Sequence, residues 1–96
     1  MQTKLLIKGK FTNGKGDALN ILDPATGKVI VEVPEASEEQ VNAAVLAAAG
    51  ALDGWSRTAP KDRATLLLKV ADRIEAEADT FAELESRNCG KPLAAV

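Results

Sequence analysis

The order of apolar and polar positions divides the chain into two halves of different period. From Leu5 to Val33 the apolar residues come in short runs or alternate, the two-residue period of a strand. Leu5–Phe11 reads as one short strand, and Ala18–Leu22 as a second with Leu19 and Ile21 on one face. In Lys28–Val33 the residues Val29, Val31 and Val33 face one side and Lys28 and Glu32 the other, and Pro34 closes the run. Between these strands lie two turns. Thr12-Asn13-Gly14-Lys15-Gly16-Asp17 is rich in residues that tolerate positive φ, and Asp23-Pro24-Ala25-Thr26-Gly27 pairs a fixed proline with a glycine free to turn left-handed. Three strands and two turns predict an antiparallel meander.

After Pro34 the period becomes helical. Ser37-Glu38-Glu39-Gln40 matches a capping box, with serine at the N-cap and glutamine three residues on. The helix it opens carries Val41, Ala44, Val45, Ala48 and Leu52 at helical spacing and is expected to end near Asp53-Gly54. A loop follows over Trp55–Ala59, with Trp55 packing it onto a helix pair. Pro60 suits the first turn of a second helix, whose stripe is Leu67, Val70, Ala71, Ile74 and Ala78. A third helical stretch sets Phe81, Leu84 and Asn88 on one face and stops at Gly90, with Pro92 just beyond. Leu93–Val96 reads as the start of another helix. No internal repeat or low-complexity tract is present.

Composition qualifies this picture. Hydrophobic residues make up 46% of the 96, but 17 are alanine, which has little area to bury. A small chain of this kind folds weakly alone, and its Ala-rich helix suits close packing against something bulkier. The net charge is −2, from 12 basic and 14 acidic residues interspersed along the chain, which argues against a nucleic-acid partner. There is no histidine and one cysteine, Cys89, so Ser-His or Cys-His catalysis, His-ligated metals and an internal disulfide are excluded. The apolar run Leu5–Ile7 is far too short for a signal peptide or membrane span. The expectation is a soluble cytoplasmic protein with no membrane partner.

Individual motifs carry little chemistry. Gly9-Lys10-Phe11-Thr12-Asn13-Gly14-Lys15 fits seven positions of a phosphate-binding P-loop, but Gly16 stands where Ser or Thr is needed and a strand follows instead of a helix. A hairpin turn explains the segment better. Gly14-Lys15-Gly16 also lacks the third glycine and the helix of a dinucleotide fingerprint. Cys89 lies between Arg87 and Lys91, yet it sits at a helix C-terminus, where the backbone dipole opposes an anion, and has no histidine base. A structural or incidental cysteine is expected. Glu75, Glu77, Asp79, Glu83 and Glu85 beside Arg73 and Arg87 read as a solvated face with local ion pairs.

The series of signals is more specific than any one of them. Asn20-Ile21-Leu22-Asp23-Pro24-Ala25-Thr26-Gly27-Lys28-Val29-Ile30 resembles the opening of the aldehyde dehydrogenase superfamily, in which Asn/Asp-Pro-Ala-Thr-Gly lies between two strands. Val33-Pro34-Glu35-Ala36-Ser37 with Val41-Asn42-Ala43-Ala44-Val45 continues the likeness, as does Trp55-Ser56-Arg57 with Arg63 and Leu66-Leu67-Leu68. Glu83–Pro92 resembles the family's Glu-(x)4-Gly-Lys-Pro helix end. Ser86-Arg87-Asn88-Cys89, where the family often has Asp or Thr at position 88 or 89, is similar to the γ-aminobutyraldehyde (1-pyrroline) branch, neighbour of the betaine aldehyde dehydrogenases.

The resemblance implies an α/β fold class, a piece of the aldehyde dehydrogenase fold with strands within residues 5–33 and helices within 37–90. Residues 1–96 would be the amino-terminal part of the cofactor-domain region, with the catalytic domain absent. The parent would be a dimer or tetramer that binds NAD and oxidises an ω-aminoaldehyde through a cysteine thiolate, hydride transfer and a Glu-activated water. In the family those residues and the NAD contacts lie downstream, and Cys89 does not match the catalytic cysteine. No catalytic or cofactor-binding residue is therefore expected here, and the partner expected is the rest of the enzyme chain. Many family members also hold a monovalent cation through a carbonyl before the Asn/Asp-Pro turn and a carboxylate before Gly-Lys. Those positions are Leu22 and Asn88, the latter a neutral amide. The alternative is a stand-alone, non-catalytic interaction module.

Overall fold

The computed structural model describes residues 1–96, as two separate antiparallel hairpins followed by three helices. Antiparallel strands followed by three helices stand as expected, but the pairing differs from a three-stranded meander. The segment read as one strand folds back on itself: β1 (Leu5–Ile7) pairs with β2 (Lys10–Thr12), with Leu6 opposite Phe11. Its turn is Lys8-Gly9, with φ of +52° and +75°. Two consecutive positive values are what a two-residue hairpin needs, because that turn's twist matches the twist of its strands. Alternation of side chains gives no sign of such a turn when lysine, rather than asparagine, fills its first position.

The second hairpin joins β3 (Ala18–Leu22) to β4 (Val29–Pro34), with Leu19 opposite Val33, Ile21 opposite Val31, and an irregularity between Ile21 and Leu22. Its turn is held locally. The Asp23 carboxylate accepts from the Ala25 N–H at 2.8 Å, the Gly27 N–H donates to the Asp23 carbonyl at 2.7 Å, and Gly27 has φ +71°. The segment between the hairpins is not a hairpin turn, and its glycines do not need positive φ. It lies against the β4–α1 junction, where the Gly16 N–H donates to the Glu35 carbonyl at 2.8 Å and the Glu35 N–H to that of Asp17 at 2.9 Å. A Cβ on Gly14 would lie 2.5 Å from the carbonyl oxygens of both Pro34 and Glu35, so glycine is required there for close approach.

Helix α1 (Glu38–Arg57) starts at the expected capping box, formed in both directions between Ser37 and Gln40. It runs past Asp53-Gly54, so Trp55 belongs to its last turn rather than to a loop. Glycine weakens a helix by only about 1 kcal/mol relative to alanine and does not stop it. The helix stops where Pro60 restrains Ala59 to an extended conformation (φ −56°, ψ 139°). Helix α2 (Pro60–Ala76) and helix α3 (Ala78–Cys89) are separated by Glu77 alone, and Gly90 ends α3 in the left-handed region at φ +76°, as expected. Leu93–Ala95 forms a single 3₁₀ turn instead of opening an α-helix.

These elements enclose no hydrophobic core. Gln40 is the one buried residue, while Val45, Leu46, Leu67, Val70 and Ile74 are each at least half exposed. The radius of gyration is 17.0 Å, against about 12.5 Å for a compact chain of this length. No helix is long and apolar enough to cross a membrane.

Candidate functional site

Leu22 is the last residue of β3, at the irregularity that leads into the Asp23–Gly27 turn. Asn88 is the penultimate residue of α3, exposed at the helix end. Packing brings their two segments together: a Cβ placed on Gly90 would lie 3.0 Å from Cγ of Pro24, so the turn after Leu22 abuts the glycine two residues beyond Asn88. The carbonyl end of a helix favours positive charge. Both donors are nevertheless neutral, and the Asp23 carboxylate beside them is engaged in its own turn. No group of three or more His, Cys, Asp and Glu side chains gathers where it could hold a metal ion.

The other singled-out residues remain apart. Cys89 is exposed at the end of α3, and its thiol donates to the Glu85 carboxylate at 3.5 Å. Arg73 pairs with Glu77 at 3.5 Å and Arg57 with Asp53 at 2.9 Å, all four side chains more than half exposed. Such exposed pairs contribute about 0–1 kcal/mol each. The glycine-rich segment also does not fit the phosphates of NAD. Gly9 forms a hairpin turn, and Gly14 faces carbonyl oxygens, which repel an anion, where N–H groups would be needed. That segment therefore offers no phosphate cradle.

Two features had no clear mark in the sequence. Gln40 does more than cap a helix. Its side-chain oxygen accepts from the N–H of Ser37 at 3.0 Å and of Lys15 at 2.9 Å, and its nitrogen donates to the Asn13 carbonyl at 2.8 Å. One side chain so ties the inter-hairpin segment to the start of α1. The Ser-x-x-Gln spacing shows the first of these bonds, but nothing local shows the other two. The second feature is a groove of about 450 Å³ along α2 and α3, lined by Leu66, Val70, Ile74 and Phe81 with Lys69, Arg73 and Glu77.

Comparison with known proteins gives this geometry a context. The family model described as the aldehyde dehydrogenase family matches residues 11–96. Phenylacetaldehyde dehydrogenase of Pseudomonas fluorescens is 44% identical over 93 residues, covering 94% of this chain and 18% of that protein. The 2-aminomuconic semialdehyde dehydrogenase of Homo sapiens is 37% identical over 94 residues, covering 94% of this chain and 19% of that one. The solved structure of PnpE in complex with nicotinamide adenine dinucleotide superposes with a TM-score of 0.90 at 38% identity, over 97% of this chain and 19% of that one. An NAD-dependent benzaldehyde dehydrogenase from Corynebacterium glutamicum superposes with a TM-score of 0.92 at 28% identity, over 96% and 20%. The chain spans between 18% and 20% of the length of these relatives.

Proposed function

Because this chain belongs to the aldehyde dehydrogenase family, whose model matches residues 11–96, we propose that it is the amino-terminal portion of an NAD-dependent enzyme that oxidises an aldehyde to its acid. The observation that carries the reading is the superposition of 97% of the chain on 19% of an NAD-bound relative. In this reading residues 1–96 are a peripheral part of the cofactor-domain region. The cysteine nucleophile and the NAD contacts lie outside them, and the parent is a cytoplasmic dimer or tetramer. Ser86-Arg87-Asn88-Cys89 supports an ω-aminoaldehyde such as γ-aminobutyraldehyde as the substrate. The relatives' names, phenylacetaldehyde and 2-aminomuconic semialdehyde dehydrogenase, support an aldehyde in general.

The test is the reading frame downstream of codon 96 and the activity of its product. An open frame of several hundred codons is expected, whose product reduces NAD⁺ faster with γ-aminobutyraldehyde than with phenylacetaldehyde. A product that prefers phenylacetaldehyde removes the aminoaldehyde reading alone. An in-frame stop removes the enzyme reading and leaves a stand-alone interaction module.

Within the same reading, the Leu22 carbonyl and the Asn88 side-chain oxygen are the donors of a monovalent-cation position. The contact of Pro24 with Gly90 supports it. Two neutral oxygens supply no charge, so binding is weak. Asn88→Asp in the enzyme product should then raise its thermal midpoint more in potassium chloride than in choline chloride. An equal response to both salts removes the site.

A further inference from the structure

The segment between the hairpins carries a reactive pair of residues, Asn13-Gly14. Asparagine is a thermally labile residue. Its side-chain amide carbon is electrophilic, and the next backbone nitrogen can attack it to close a five-membered ring. Two things oppose that attack: a side chain on the following residue shields the nitrogen, and secondary structure occupies its N–H. Neither operates at Asn13. Gly14 has no side chain and lies outside every strand and helix, and its N–H donates to no group of the chain. Asn13 is exposed, and its main-chain carbonyl accepts from the Gln40 side chain at 2.8 Å. The other asparagines differ on both counts. Asn20 precedes Ile21 in β3, Asn42 precedes Ala43 in α1, and Asn88 precedes Cys89 in α3.

We propose that Asn13 is a site of spontaneous deamidation in the folded protein, and that the reaction releases the inter-hairpin segment from Gln40. The Gly14 nitrogen gives up its proton and bonds to Cγ of Asn13. The Cγ–Nδ2 bond breaks, and ammonia leaves with that proton. Water then opens the succinimide ring. Opening between Cγ and the Gly14 nitrogen gives aspartate, and opening between the main-chain carbonyl carbon and that nitrogen gives isoaspartate. Ammonia is exchanged for water and nothing is oxidised or reduced. Isoaspartate runs the main chain through the side-chain carbons and adds one of them, about 1.5 Å of contour, before Gly14. Gly14 has no slack for it, since even a Cβ there would lie 2.5 Å from the carbonyl oxygens of Pro34 and Glu35. The carbonyl that Gln40 held becomes a free carboxylate, outside the main chain. A displaced segment also gives up the Lys15 N–H bond to Gln40 at 2.9 Å and the Gly16 N–H bond to Glu35 at 2.8 Å. The aspartate product keeps the main chain as it was and only adds a charge at an exposed position.

The protein, at the full length its reading frame encodes, is aged in mildly alkaline buffer and mapped by digestion and mass spectrometry. Chromatography separates the aspartyl and isoaspartyl peptides. A synthetic peptide spanning Phe11–Asp17 runs alongside as the unstructured reference. The expected result is a mass rise equal to exchange of an amide NH₂ for OH at Asn13, with isoaspartate among the products. It should proceed within about tenfold of the peptide's rate, while Asn20, Asn42 and Asn88 stay intact. A slower rate, as from a segment that reacts only after local unfolding, overturns the site. Reaction at the other three asparagines at the same rate overturns it too. Hydrogen exchange at Lys15 and Gly16 should quicken in the isoaspartyl fraction, and unchanged exchange there overturns the release. Asn13→Asp carries the charge without the added carbon and should exchange like unreacted protein. Equal quickening in that variant assigns the effect to charge and overturns the rerouted main chain as its cause. Asn13→Gln, whose ring would have six members, should age without change of mass or exchange. Quickened exchange in aged Asn13→Gln would trace the loosening to another lesion and overturn the release.

Discussion

Gln40 shows how much one side chain can carry in a molecule without a core. It is 8% exposed and makes hydrogen bonds to three different backbone positions, those of Asn13, Lys15 and Ser37. Gln40→Leu leaves those groups unpaired, and an unsatisfied buried partner costs about 1–3 kcal/mol. Amide exchange at Lys15 and Ser37 should accelerate accordingly, while exchange in the middle of α2 stays unchanged. Gly90 and Gly9 offer a matched comparison, with nearly equal φ of +76° and +75°. An alanine at either must adopt the left-handed conformation, at about 1–2 kcal/mol. At Gly90 the new Cβ would also lie 3.0 Å from Pro24, whereas at Gly9 nothing lies within 4 Å. Gly90→Ala should therefore lower the thermal midpoint more than Gly9→Ala. An equal loss would show that the Pro24 contact is slack. The terminating role of Gly90 was legible in the sequence, because Gly-Lys-Pro after a helical stripe is a local signal. The Pro24 contact was not, because it joins residues 66 positions apart.

At the scale of elements, the starts of helices were more legible than their ends. A capping box and a proline at the first position act within four residues, and both formed where the sequence places them. The end of α1 depends on a balance. Gly50 and Gly54 weaken the helix, but alanine-rich sequence, the Asp53–Arg57 pair at 2.9 Å and a Thr58 hydroxyl donating to the Gly54 carbonyl at 3.0 Å carry it to Arg57. No atom lies within 4 Å of a Cβ added at Gly54. Gly54→Ala should then stabilise α1 by about 0.5–1 kcal/mol. A far-ultraviolet circular dichroism melt of the variant should shift upward, and a downward shift would mean that Gly54 is needed for a contact of its own. The strands were read by type but not by pairing. Leu5–Phe11 has apolar residues at both ends, and the Lys8-Gly9 pair between them, left-handed at both positions, divides it into two strands.

At the scale of the molecule, the exposed stripes have a direct physical consequence. Val41, Val45, Leu67, Val70 and Ile74 are each at least half exposed, so the chain alone should self-associate and bind a hydrophobic dye. A monodisperse monomer at high concentration with no dye fluorescence would contradict this. The isolated chain should also show no NAD-dependent aldehyde oxidation, since the reaction needs a nucleophile and cofactor held together, while Cys89 is exposed at a helix end in a chain without histidine. Cys89→Ser in a chain of family length should leave turnover essentially unchanged, whereas loss of a covalent nucleophile costs about 10⁴-fold or more. A loss of that size would place the nucleophile at the end of α3.

By itself the sequence determined the identity of the helices, the Ser37 capping box, the Pro60 start and the Gly90 stop, the Asp23–Gly27 turn and the family likeness. Each rests on residues a few positions apart, where hydrogen bonding and φ preferences act locally. Only the tertiary structure decided that the strands form two separate hairpins, that Gln40 joins the inter-hairpin segment to α1, and that the Leu22 turn abuts the end of α3. It also decided that the apolar stripes do not close on one another. Periodicity shows which side of a helix is apolar, but whether another surface of the chain lies within reach of that side depends on where the elements are placed in space.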